Sequence, residues 1–398
     1  MNDAPATTAP DEADLARPPR LLSLDAFRGL DIALMVLVNM TWNRDVFPNQ
    51  FFHVGWNDGK HGATITDLVF PWFLFIAGAA IPFSMHSGRG RPSGRRLGPA
   101  RRILTATRRG LVIYLLGCLL SASRNGDVRL LTLDILQFIG IAYIIGVIIC
   151  ELPKWARIAF VAVVLAAKAW LLELCPHPDH AAVVWEQHDN MRTWMSNIQL
   201  GTAALNDTLG HFIRFALNGL FNILPGATVV VTGALAGDIL RTATNNRISA
   251  ARILLIAGAL AWAASYALSF WHPYSKDFFT ASYALLAAGS GAVILAALYY
   301  IIDVRNLTTL FWARVFGLNA IAFYMLNELL FRIVLSKWTQ PWYPNQDGSP
   351  RTLISALMQL PQDLLGTHAG LWAFAILYML AWWLFFYRWY RRGWFCKV

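Results

Sequence analysis

An all-α bundle of membrane-spanning helices is the fold class this chain predicts, and three observations carry it. Hydrophobic residues make up 57% of the 398 and charged ones only 14%. Apolar runs long enough to cross roughly 30 Å of hydrocarbon recur along the whole length, and the mean hydropathy is +0.45. The Lys and Arg residues fall in alternate connections between those runs, as the positive-inside rule requires of a polytopic protein.

Ten segments fit the pattern in order: 24–41, 65–85, 103–120, 130–150, 156–174, 218–240, 253–271, 279–302, 310–335 and 371–389. The first opens on the charged run Ser23-Leu24-Asp25-Ala26-Phe27-Arg28-Gly29 and turns apolar until Asn39; the second begins at Asp67 and is then uncharged through Phe83. The fourth carries Asp134 and Gln137 on one face, and the ninth Asn319, Asn327 and Glu328. Residues 352–366 are apolar enough to suggest an eleventh, but contain Gln359, Pro361, Gln362 and Asp363. Counting that segment as a span would send the basic tail Arg388, Arg391, Arg392 and Lys397 to the outer side, so it is read as re-entrant or interfacial. The expectation is thus about ten spanning helices plus one such helix.

Orientation follows from the basic connections. Arg89, Arg91, Arg95, Arg96, Arg101 and Arg102 follow the second segment, Lys154 and Arg157 the fourth, and Arg241, Arg247 and Arg252 the sixth. These place both termini in the cytoplasm and turn the His53 connection and the larger loop at about 175–217 outward. A bacterial inner membrane is the expected location. Residues 1–19, with Asp3, Asp11, Glu12 and Asp14 and no apolar core, read as a disordered tail; 20–398 reads as a single transmembrane domain. The net charge of +10 is accounted for by the inner connections, which leaves nucleic acid no role. Cys118 and Cys150 lie in apolar segments and the four cysteines show no zinc or disulfide spacing, so no metal is expected. Apolar helix faces leave room for a homodimer and otherwise meet lipid.

Ionisable residues within spans are costly and by default face a bundle interior or a water-filled cavity. Asp25, Arg28 and Asp31 are spaced three apart and share one helix face. His53 lies in an outward connection, followed by Trp56, Asn57 and Asp58, an aromatic wall with hydrogen-bonding groups; His61 is a nearby competitor. An imidazole titrates near neutrality, so it can take a proton from an attacking amine or itself attack an acyl group. Asn39, ending the preceding helix, offers an amide to a developing oxyanion. A solvated loop histidine and an ion cluster that braces helix packing are the plain structural alternatives. No Gly-x-Ser-x-Gly elbow or His-Glu-x-x-His helix supports hydrolase or zinc-protease chemistry.

Several runs together resemble the transmembrane acyltransferases typified by heparan-α-glucosaminide N-acetyltransferase and its bacterial relatives. They are residues 23–29, Val38-Asn39, Phe52-His53 with Trp56-Asn57, and Thr66 to Phe73 with Phe75-Ile76-Ala77-Gly78. The similarity continues through Leu136-Gln137, Leu224-Pro225, Lys276 with Thr280-Ala281-Ser282-Tyr283, and Gly317-Leu318-Asn319-Ala320. The resemblance implies acetyl transfer from cytoplasmic acetyl-coenzyme A to the amine of an amino sugar across the membrane, with His53 and Asn39 as the catalytic pair. Trp56, Asn57, Asp58, Asp67 and Asn319 would then shape the acceptor site. Asp25, Arg28, Gln137, Arg101, Arg102 and Lys276 are the candidate cofactor contacts, the arginines suited to phosphate. The chain departs from the family where Phe138 replaces a frequent arginine after Gln137, and where the linker from Asn39 to His53 lacks the usual glycines. A transporter for amino sugars is the rival expectation, with the buried charges forming a solute or proton path; it has no use for coenzyme A.

Overall fold

The computed structural model describes residues 21–54, 62–86, 98–126, 130–131, 133–174, 210–243, 246–307, 310–345 and 347–396. The tail at 1–19, most of the 175–217 loop, and Trp56, Asn57, Asp58 and His61 lie outside the described residues. The helices are α1 (Leu22–Asn39), α2 (Ile65–His86), α3 (Pro99–Asn125), α4 (Ile135–Cys150), α5 (Lys154–Leu174), α6 (Gly210–Thr242) and α7 (Arg247–Leu268). They continue as α8 (Ala281–Leu298), α9 (Phe311–Gly317), α10 (Ala320–Leu329), α11 (Leu353–Leu365) and α12 (Thr367–Arg391). A 3₁₀ turn (Asn49–Phe51) precedes His53, and π-helical turns extend α8 (Tyr299–Val304) and α10 (Leu330–Leu335). Before α11 stands a two-stranded antiparallel hairpin, β1 (Thr339–Gln340) with β2 (Arg351–Thr352), pairing Thr339 with Thr352.

Among the described residues six helices are long and apolar enough to cross a membrane: Ile65–Ser84, Pro99–Arg124, Phe221–Thr242, Arg247–Leu268, Ala281–Val304 and Thr367–Arg391. The pair Phe311–Gly317 and Ala320–Leu335, bent by 73°, makes seven if it is one broken span. The expectation of about ten is therefore corrected. α1 carries Asp25, Arg28 and Asp31 within 18 residues, α4 has only 16 residues, and α5 holds Lys154, Arg157 and Lys168. Their charges or their length take them below the uninterrupted apolar length that a crossing helix needs, which a count of apolar runs does not register. α11, with 13 residues, reaches only about 20 Å at 1.5 Å per residue, too short to cross.

Close helix approach holds the bundle together. In lipid there is no hydrophobic drive between apolar helices, so small residues that let backbones touch do much of the packing. A Cβ on Gly29 would sit 1.7 Å from the Ala313 carbonyl oxygen, and one on Gly317 would sit 1.8 Å from that of Asp25, so α1 and α9 meet backbone to backbone. Gly233 and Gly237 of α6 lie equally tight against Phe75 and Ala79 of α2. A buried polar link joins α2 to α8, where the Trp72 indole donates to the Ser290 hydroxyl at 2.9 Å.

The helix ends are tied by long-range charge contacts. The start of α1 has free N–H groups, and the Asp303 carboxylate accepts them from Leu22 (3.1 Å) and Ser23 (3.0 Å), 280 positions away. Arg157 donates to Asp238 at 2.8 Å and to the Cys150 and Leu152 carbonyls, pinning the α4–α5 corner to α6. Arg102 forms a two-pronged pair with Glu151. All of these lie at the end where α1, α3, α5 and α7 begin. The opposite end carries His53, the turn 272–280, the hairpin and α11. At the break between α9 and α10, Asn319 donates to the Trp394 carbonyl (3.1 Å) and accepts from Cys396 N (2.8 Å), so its amide holds the C-terminal segment.

Gly317→Ala forces α1 and α9 apart and is expected to destabilise the protein by about 1–3 kcal/mol, read as a lowered melting temperature in detergent. Gly98→Ala, a helix N-cap whose added methyl has no atom within 4 Å, lowers the midpoint less. Equal melting of the two variants would disprove the close contact. Asp303→Ala, which leaves two helix-start donors unmet, is expected to lower stability by about 0.5–2 kcal/mol in the same assay.

Candidate functional site

His53 and Asp67 arrive at one place from opposite sides of a short loop. Residues Thr64-Ile65-Thr66-Asp67 follow the pattern in which a Thr precedes a helix and an acid sits three positions on. The Asp67 Oδ2 atom accordingly accepts from Thr64 N at 3.1 Å and lies 2.9 Å from the Thr64 hydroxyl, which is also 2.8 Å from the Phe52 carbonyl. Val54 N donates to the same oxygen at 3.3 Å. The other oxygen, Oδ1, lies 2.7 Å from His53 Nδ1. Asp67 is 3% exposed at its side chain, whereas His53 is 54% exposed. A buried carboxylate saturated with donors orients the imidazole: with Nδ1–H directed at Asp67, the neutral ring presents the Nε2 lone pair outward.

A third group comes from the turn before α8. Lys276 Nζ lies 3.4 Å from His53 Nδ1. Its turn is tightly made: Thr280 N donates to the Ser275 carbonyl (3.2 Å), the Thr280 hydroxyl caps α8, and the Asn222 amide donates to the Asp277 carbonyl (3.2 Å). Phe279 has φ 49, a left-handed conformation rare for an aromatic residue, yet it is 1% exposed. The packing that compels it is an aromatic cluster beneath Asp67: Phe279 stacks on Phe138 at 5.5 Å, meets Tyr283 at 5.3 Å, and Phe70 meets Phe138 at 5.1 Å. Phe138 thus has a packing role in place of the arginine the resemblance led one to expect. The Tyr283 hydroxyl donates to the Asp67 backbone carbonyl. Burial pushes the Lys276 ammonium below its ordinary range, and the negative charges of Asp67 and Asp277 partly oppose that shift.

The remaining sequence candidates are dispersed. The Asn39 amide donates to Glu328 Oε1 at 3.4 Å, and Glu328 is bound by Arg332 at 2.9 and 2.7 Å; among the described residues no hydrogen bond joins Asn39 to His53. Asp25 pairs with Arg28 at 3.4 Å near the start of α1, at the far end from His53. Gln137 donates to Ser121 at 3.3 Å, and Arg102 is held by Glu151 while Arg101 is exposed. Of the six candidate cofactor contacts only Lys276 reaches His53. Thr64 and Tyr283 were not singled out as site residues; the Thr-x-x-Asp spacing was a usable signal for the first, and the run Thr280-Ala281-Ser282-Tyr283 that carries the resemblance was one for the second. No group of three or more metal-ligating side chains occurs among the described residues.

A lysine whose ammonium is destabilised by burial reacts with amine reagents at lower pH than an exposed one. Labelling of Lys276 with an acylating reagent, followed by mass spectrometry over a pH series, is expected to set in below that of exposed Lys337. Asp67→Asn removes the charge that raises the Lys276 value, so the onset moves lower still; a shift upward would contradict the geometry.

The family model for heparan-alpha-glucosaminide N-acetyltransferase, catalytic, matches residues 20–274. Heparan-alpha-glucosaminide N-acetyltransferase of Homo sapiens is 42% identical over 92 residues, 21% of this chain and 13% of the relative. The Mus musculus protein of the same name is 47% identical over 68 residues, 17% of this chain and 9% of the relative. These alignments span only a small part of the curated relatives. The family match, by contrast, covers more than half of the chain and includes His53, Asp67 and the aromatic cluster's Phe70 and Phe138, so the protein belongs to the heparan-alpha-glucosaminide N-acetyltransferase catalytic family.

Proposed function

We propose that this protein is an inner-membrane acetyltransferase that moves an acetyl group from cytoplasmic acetyl-coenzyme A to the amine of an amino sugar on the outer side. The observation that carries this reading is the His53–Asp67 pair at 2.7 Å, buried on the carboxylate side and open on the imidazole side. The family supports the donor and the class of acceptor. The basic end, with exposed Arg101, Arg108 and Arg109, is assigned to the cytoplasm and both termini with it. Coenzyme A phosphates do not enter hydrocarbon, so only the thin pantetheine arm would pass inward.

Two routes use the same atom. In one, Nε2 attacks the thioester carbonyl, the C–S bond breaks, the thiolate departs as coenzyme A, and the acceptor amine then takes the acetyl group from the ring. In the other, Nε2 removes a proton from the amine as the amine attacks the thioester directly, the C–S bond breaks, and the thiolate leaves as coenzyme A, taking the proton from the imidazolium. Asp67 holds Nδ1 in both, and offsets the positive charge that forms on the ring. Lys276 supplies a cation beside the ring for the oxyanion, a part the sequence assigned to Asn39. Asn39 instead braces α1 against α10 through Glu328.

Purified wild-type protein in detergent is expected to transfer labelled acetyl from acetyl-coenzyme A to glucosamine, and His53→Ala to lose that activity. Asp67→Asn should lower kcat about 10²–10⁴-fold with the acceptor KM changed little, since the residue orients the base rather than touching substrate. A well-folded protein that neither binds coenzyme A nor labels any amine ends this reading. Acid-quenched enzyme without acceptor separates the routes: acetylated His53 marks the two-step one.

A further inference from the structure

Lys276 is a primary amine held against the residue that activates acetyl groups for amines. Among the described residues it forms no salt bridge, and its Nζ lies 3.4 Å from His53 Nδ1. The backbone at this point is fixed. Phe279 N donates to the Lys276 carbonyl at 3.1 Å, and the Asn222 amide holds the Asp277 carbonyl at 3.2 Å. Lys168 of α5 steadies that Asn222 in turn, Nζ to Oδ1 at 3.3 Å. The four-carbon stem beyond this anchored turn is flexible, so Nζ can follow a group carried on the ring.

We infer that Lys276 is a self-acetylation site: when no acceptor sugar is bound it takes the acetyl group that His53 activates, and the amide so formed switches the site off. The inference rests on the acetyltransferase reading for the source of that group, an acetyl thioester. In the step the Lys276 amine attacks the acetyl carbonyl and a C–N bond forms. The bond that breaks runs from that carbonyl to His53 Nε2 on the two-step route, or to the thioester sulfur on the direct one. The proton given up by the amine passes to the ring and from it to the thiolate. The products are Nε-acetyl-lysine and coenzyme A.

Proximity selects this amine, because a nucleophile held at the reacting centre competes as if at very high concentration. Lys154 opens α5 at the opposite end, and Lys168 is buried with its Nζ on the Phe221 carbonyl. Burial also pushes the Lys276 ammonium below its ordinary range, against the opposing charges of Asp67 and Asp277, so more free amine is present than on an exposed lysine. Acetylation then replaces the cation beside the ring with a neutral amide. An acceptor amine in the site intercepts the acetyl group first, so the modification records donor without acceptor.

The test incubates the full-length protein in detergent with acetyl-coenzyme A and no acceptor, and follows acetylation at each lysine by peptide mass spectrometry. Lys276 is expected to gain acetyl about tenfold or more faster than exposed Lys337. Glucosamine added to the same wild-type protein should slow Lys276 and leave Lys337 unchanged, a comparison that needs no variant. His53→Ala, with its melting temperature checked, should bring Lys276 down to the rate of Lys337. Samples taken along the course should lose transfer to glucosamine in proportion to Lys276 occupancy. Equal rates at Lys276 and Lys337, or acetyl on Lys60 in place of Lys276, overturn the inference. A parallel arm uses p-nitrophenyl acetate, an activated ester that needs no coenzyme site. Lys276 labelled by the ester with His53 dependence, but not by acetyl-coenzyme A, keeps Lys276 as the internal acceptor and removes the acetyl-coenzyme A reading. Glucosamine acetylated from acetyl-coenzyme A while Lys276 stays unmodified keeps that reading and overturns the inference.

Discussion

Withdrawing a charged carboxylate from water is costly unless protein donors replace the lost hydration, and at Asp67 this chain supplies those donors. Its two oxygens take the Thr64 amide, the Val54 amide and the His53 ring, and its own carbonyl takes the Tyr283 hydroxyl. Those contacts draw the loop 52–64, the start of α2 and the start of α8 to one spot. The orientation of the imidazole is therefore a consequence of solvating a buried charge with protein groups. The Lys276 turn completes the arrangement: an aromatic residue is held in a left-handed conformation because Phe138, Phe70 and Tyr283 leave its ring one place to go.

Beyond the aromatic cluster beneath this spot, close helix contact holds the rest of the bundle. Where Gly29 meets Ala313, or Gly233 meets Phe75, the backbones approach until a methyl group would not fit. The contact between α1 and α9 is tight at the far end from His53, where Asp303 also closes the start of α1. Ionisable groups at that end are mostly partnered: Arg102 with Glu151, Arg157 with Asp238, Asp25 with Arg28. Pairing of this kind braces helix corners, and it takes those arginines out of direct competition for a phosphate ligand.

Hydropathy located helices well and membrane crossings less well. α1, α4 and α5 lie within or against the expected segments, yet their charges or their length keep them short of an uninterrupted apolar span. A run of apolar residues reports that a helix avoids water; it does not report whether lipid or other helices cover it. A similar ambiguity affected the polar residues. Asn39, which could hold an oxyanion at the end of its helix, and Asn319, part of a motif shared with the family, were read as site groups; in the structure their amides bond Glu328 and the backbone at Trp394 and Cys396.

From the sequence alone came the all-α membrane class, the clustering of basic residues at one end, His53 as the titratable group of interest, Asp67 as the acid opening the next helix, and the resemblance to the family. These were legible because they rest on composition, on charge placed within a few residues, and on contiguous motifs. The tertiary structure alone decided that Asp67 is bound to His53 Nδ1, that Lys276 stands beside it 223 positions away in the chain, and that Phe138 fills an aromatic cluster. It also decided that the hairpin and α11 lie at the same end of the bundle as His53. Contacts across hundreds of residues depend on which helix faces meet, and no local pattern of residues encodes that choice.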